Sequence, residues 1–107
     1  MQFQLSGQQI EVTPALRDHA TSKLDRLLRL DDKLIGLAVV LSMDSQRQRA
    51  DGTLTATGTV VHASAIEADM YASIDVLFDK LAAQLRKYRD KISDKHQREA
   101  RQERQVG

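Results

Sequence analysis

The spacing of apolar positions changes several times along this chain, and each change marks an element. Gln2-Phe3-Gln4-Leu5-Ser6 alternates polar with apolar, the pattern of a short strand with one buried face. Ile10 and Val12 lead into Thr13-Pro14, where a hydroxyl can cap a helix and proline suits its first position. Leu16, Ala20, Leu24, Leu27 and Leu28 then recur mostly three or four apart, which predicts a helix over 14–30 with one buried face. Leu37, Val39, Leu41 and Met43 alternate with Ala38, Val40, Ser42 and Asp44 and predict a strand at 36–44. Ser45 to Gly52 is polar, carries Arg47 and Arg49, and reads as a hairpin connection. The next strand is expected at 49–57, centred on Thr53 to Thr57; Gly58 turns the chain, and Val60 to Ile66 forms the fourth strand. Asp69 offers the cap of a longer helix over 70–92. There Met70, Ile74, Leu77, Phe78, Leu81, Leu85, Tyr88 and Ile92 repeat at helical spacing, with Met70-Tyr71 read as core packing.

The order β-α-β-β-β-α predicts an α+β domain. Two helices would cover one face of a four-stranded sheet, and the other face, with Gln2, Gln4 and the threonines, would stay wet. The length of 107 residues suits one domain. That domain is expected at 1–92, with 93–107 a basic polar tail, a frayed helix or disordered, because nothing apolar continues the stripe. Removing the tail after Lys95 should therefore cost little stability. No run approaches the roughly 18–20 apolar residues of a membrane span, and the N-terminus lacks the pattern of a signal peptide. The absence of cysteine excludes disulfides and thiolate metal sites. A cytoplasmic protein without membrane contact is expected.

The net charge of +1 conceals an asymmetry. From Leu77 onward nine Lys/Arg stand against five Asp/Glu, whereas the first 76 residues carry seven against ten. Polarised charge steers binding even when the total is small. Lys80, Gln84, Lys87, Lys91 and Lys95 step by four, three, four and four along one side of the last helix, and Arg86 and Arg89 widen the stripe. Arg17, Lys23, Arg26 and Arg29 lie off the leucine face of the first helix. Two such helices side by side would edge a groove with cations, which suits a phosphate backbone. No aromatic platform stands among them, so the shape and phosphates of folded RNA fit better than stacked single strands. The alternative reading of the stripe is a solvated face. His19, His62 and His96 lack metal-ligand spacing, the serines lack a nucleophile motif, and the glycines form no phosphate loop. No enzyme, metal or cofactor is expected.

The segment Asp69-Met70-Tyr71-Ala72-Ser73-Ile74-Asp75, followed by Asp79-Lys80-Leu81 and Gln84-Leu85, strongly resembles the ribosome hibernation promoting factor family. Leu5-Ser6-Gly7, Val12-Thr13 with Leu16-Arg17, and His62-Ala63-Ser64-Ala65 share the likeness, which spans about residues 1–92. The resemblance implies a fold like the double-stranded RNA-binding domain with an extra first strand. It also implies a monomer that binds the small ribosomal subunit and its ribosomal RNA in the messenger and transfer RNA channel, and so inhibits translation in idle ribosomes. By that analogy Lys23, Arg26, Lys80, Gln84, Arg86, Lys87, Arg89 and Lys91 are the RNA-contact candidates, with Arg17 and His62 as secondary ones. The chain resembles the short form, which would need a small ribosome modulation factor to pair ribosomes. It departs from the family at Ala83, where a basic residue is common, at Leu30-Asp31, where an aromatic pair is common, and at Tyr88, often histidine. The competing reading is a general double-stranded RNA-binding module.

Overall fold

The computed structural model describes residues 1–31 and 33–106, with side chains described through residue 91. Six elements follow one another: β1 (Gln2–Gly7), α1 (Pro14–Leu30), β2 (Leu34–Asp44), β3 (Arg47–Ala56), β4 (Thr59–Glu67) and α2 (Met70–Val106). The sheet order is β1-β2-β3-β4. β1 runs parallel to β2, a pairing that needs a crossover, and α1 supplies it. The β2–β3 and β3–β4 pairs are antiparallel hairpins.

Both helix starts use the caps expected from their residues. The Thr13 hydroxyl accepts the Leu16 amide at 3.2 Å, and Asp69 Oδ1 accepts the Tyr71 amide at 3.1 Å. The bounds depart most from expectation at the β2–β3 turn, the start of β2 and the end of α2. The β2–β3 turn is confined to Ser45-Gln46, with Ser45 at φ 57°, so Arg47 and Arg49 belong to β3 and not to a hairpin loop. Arginines fit there because they project from the wet face, where Arg49 meets Asp51 at 2.8 Å and Asp44 at 3.8 Å. β2 begins two residues early, at Leu34, because an irregularity between Leu34 and Gly36 lets both Leu34 and Leu37 turn inward. α2 continues past 92 to Val106. The expectations for the tail, including Ile92 as the last core position, concern side chains outside the described ones.

The core lies between the sheet and the helices. Leu16, Ala20, Leu24 and Leu27 enter it from α1, and Ile74, Leu77, Phe78, Leu81 and Leu85 from α2. Residues facing inward from β3 and β4 are mostly small: Ala50, Gly52, Ala56, Ala63 and Ala65. That lets α2 lie close against these strands; a Cβ at Gly52 would come within 3.2 Å of the Leu77 methyls. Ser73 is the buried polar residue of this layer, and its hydroxyl donates to the Gln48 carbonyl at 2.7 Å, so burial leaves it satisfied. Tyr71 does not join the core. It is exposed, with its ring set edge-on to His19 at 5.1 Å. Gln2, Gln4 and Thr53 are exposed on the opposite sheet face. No helix among the described residues is long and apolar enough to cross a membrane.

Candidate nucleic-acid interface

The two helices run side by side in the same direction, since contacts advance along both together. His19 and Lys23 of α1 meet Asp75 near the start of α2. Further along, the Arg89 guanidinium donates to the carbonyl of Leu30, the last residue of α1. A cation at a helix C-terminus meets both unpaired carbonyls and the negative end of the dipole. These two contacts bracket a cleft into which Lys23, Arg26 and Arg29 project from α1 and Arg86 from α2.

At the bracket near the helix starts, His19 Nε2 lies 2.6 Å from Asp75 Oδ1, and Lys23 Nζ lies 3.4 Å from the same oxygen. Burial pushes the Asp75 carboxyl up, but the hydrogen bonds and charges of His19 and Lys23 outweigh it, leaving it below the usual carboxylate value. A carboxylate accepts only, so the shared Oδ1 serves both donors in its ionised state.

The stripe on α2 faces elsewhere. Lys80 Nζ donates to the Ser64 carbonyl at 2.8 Å, and Gln84 Nε2 to the His62 carbonyl at 2.9 Å. These carbonyls lie along the outer edge of β4, which has no strand neighbour among the described residues. One helical turn, about 5.4 Å, nearly matches two strand residues, about 6.6 Å, so side chains four apart reach carbonyls two apart. The pair closes an edge that would otherwise invite another strand. Lys87 and Lys91 continue the same side and are exposed.

The predicted contacts therefore do not form one groove. Lys23, Arg26 and Arg86 share the interhelical cleft, with Arg89 at its end. Lys80, Gln84, Lys87 and Lys91 occupy the other flank of α2, against β4. The 3.6-residue period separates the flanks: the apolar row between them is what holds α2 to the sheet. Arg17 is exposed on α1 outside the cleft lining. His62 points from the wet sheet face, with Nδ1 3.1 Å from Thr53 Oγ1, while its carbonyl takes Gln84 on the edge. The Asp75 cluster was not foreseen, because His19 and Asp75 are 56 residues apart and neither sits in a local motif.

Fold and site together define the class: an α+β domain with a mixed four-stranded sheet, whose helix layer presents cations between and beside its helices. Within that class the chain belongs to the family described as Sigma 54 modulation protein / S30EA ribosomal protein, whose model matches residues 3–93. It is 44% identical over 92 residues to a ribosome hibernation promoting factor of Klebsiella oxytoca, covering 86% of this chain and 97% of that one. Its identity to the Escherichia coli K12 protein of the same name is 42% over 92 residues, with the same coverage. Among solved structures, it is similar to a ribosomal subunit interface protein from Coxiella burnetii, with a TM-score of 0.80 and 30% identity over 84% of this chain and 99% of that chain. The N-terminal domain of Protein Y from Thermus thermophilus matches with a TM-score of 0.74 and 35% identity, covering 79% of this chain and 94% of that chain.

Proposed function

We propose that this protein is a ribosome hibernation factor of the cytoplasm. It binds the small ribosomal subunit in the channel used by messenger and transfer RNA and holds idle ribosomes out of translation. The observation that carries this reading is the helix layer, where cations occupy both flanks of α2 and the cleft beside α1. On the opposite face the arginine Arg49 is already matched by Asp51 and Asp44. An RNA surface approached by the helix layer gains by counterion release, and the sheet face offers no comparable gain. Inhibition then needs no turnover: occupancy of the channel competes with messenger and transfer RNA. The protein acts as a monomer, and ribosome pairing requires a separate modulation factor. The hibernation factors among its relatives favour the ribosome over duplex RNA at large.

The test is sedimentation of a lysate from growth-arrested cells, with each ribosomal fraction probed for this protein, together with inhibition of cell-free translation. The expected result is protein in the small-subunit and whole-ribosome fractions, and inhibition relieved by excess messenger. Protein confined to the top of the gradient, or equal affinity for any duplex RNA, contradicts the reading.

A further inference from the structure

The cleft between α1 and α2 has a volume of about 170 Å³ and two chemically distinct parts. Its floor is apolar, made by Leu27, Leu30, Phe78 and Ala82. Its rim is the cationic set described above, interrupted by one carboxylate, Asp79. Contacts at both ends hold the helices at a set spacing: Asp75 with His19 and Lys23, and Arg89 with Leu30. The cavity is therefore formed before any ligand arrives, which spares a binding partner the cost of ordering it.

We propose that this cleft receives one unstacked guanine of ribosomal RNA. The proposal rests on the ribosome-binding reading and specifies what part of the RNA the site takes. The cationic rim calls for an anion. A bare phosphate gains nothing from leucine, phenylalanine and alanine, so the floor calls for a flat apolar surface joined to that anion. The volume lies below the roughly 300–1,000 Å³ of ordinary small-molecule pockets, which limits the occupant to a single ring system. A nucleotide base with its flanking phosphates meets all three conditions. Where recognition of folded RNA is base-specific it targets such splayed bases, and arginine guanidinium planes stack on them. Arg26 and Arg86 stand on opposite helices, placed to do so from the two walls.

Asp79 selects among the bases. A carboxylate beside a phosphate site repels the ligand unless the ligand brings donors to it. No ion pair engages Asp79 among the described residues. An ionised carboxylate accepts two parallel hydrogen bonds. Of the four RNA bases, guanine alone presents two adjacent N–H donors on its Watson–Crick edge, the ring N1–H and the exocyclic amine.

Two measurements test this together. In the first, backbone amide signals of the protein are followed by NMR during titration with GMP, AMP or inorganic phosphate. GMP should move the signals of Leu27, Leu30 and Ala82, with AMP weaker by about tenfold, within what one bidentate base contact discriminates. Inorganic phosphate should move the arginine rim and leave the floor unchanged, and Asp79→Asn should erase the difference between GMP and AMP. In the second, binding to purified small subunits is measured for the parent and for Ala82→Leu, which fills the floor without removing a charge. The variant should bind about tenfold more weakly with an unchanged salt slope, since no phosphate contact is lost; its thermal unfolding, no lower than the parent's, checks the fold. Equal affinity for GMP and AMP, or parental subunit binding by Ala82→Leu, overturns the proposal. If the parent itself fails to bind subunits, the ribosomal reading falls, while the nucleotide titration still decides what the cleft takes.

Discussion

Gly58 sits under two constraints at once. Its φ of 84° lies where a Cβ collides with the backbone, and an added Cβ would stand 2.8 Å from the Tyr88 hydroxyl. Gly58→Ala should lower stability in urea by about 1–2 kcal/mol from the backbone alone. Adding Tyr88→Phe should recover only the steric part of any excess. Full recovery in the double variant would place the whole cost in the contact and none in the backbone. Asp75 gives a second prediction at this scale. Its folded carboxyl is held below the unfolded value by His19 and Lys23. The stability it contributes is therefore present above the ordinary carboxylate pKa, about 3.9, and is lost as pH falls through the lowered folded value. The stability difference between the parent and Asp75→Asn should shrink as pH falls below about 4. A difference unchanged down to pH 2 would contradict the assignment.

At the scale of elements, the flank of α2 against β4 divides by task. Lys80 and Gln84 hold the edge carbonyls of Ser64 and His62, whereas Lys87 and Lys91 are exposed beyond them. Reversing Lys87 and Lys91 to Glu should weaken subunit binding and leave stability within about 0.5 kcal/mol, the range of ordinary surface changes. Lys80→Glu with Gln84→Glu should also lower stability, by roughly 1 kcal/mol, because carboxylates oppose the carbonyls they replace partners for. Equal stability of the two double variants, read by thermal unfolding, would show that edge closure adds nothing. The stripe itself was legible in the sequence, since four-residue steps need only the helical period. Its partner was not: which carbonyls Lys80 meets depends on α2 lying along β4, a tertiary fact. The extent of the β2–β3 turn is hidden in the sequence for a related reason. Polar, basic residues resemble a loop until the sheet is seen to have a wet face on which Arg47 and Arg49 can stand.

For the molecule as a whole, the alternation of period-two and helical patterns was enough to read the element order and the α+β class. The register of β1 on β2 and the separation of the cations into two flanks came only with three-dimensional packing. The central claim is that this helix layer meets ribosomal RNA as a polyanion. It is tested most directly by the affinity for purified small subunits at several salt concentrations, for the parent and for a variant with Arg26, Arg86, Lys87 and Lys91 all reversed to Glu. The parent's log affinity should fall steeply and linearly with log salt. The variant should lose most affinity and flatten that slope by roughly 0.7–0.9 for each phosphate contact removed. A parent affinity indifferent to salt, or a variant that binds as tightly as the parent, would contradict the account.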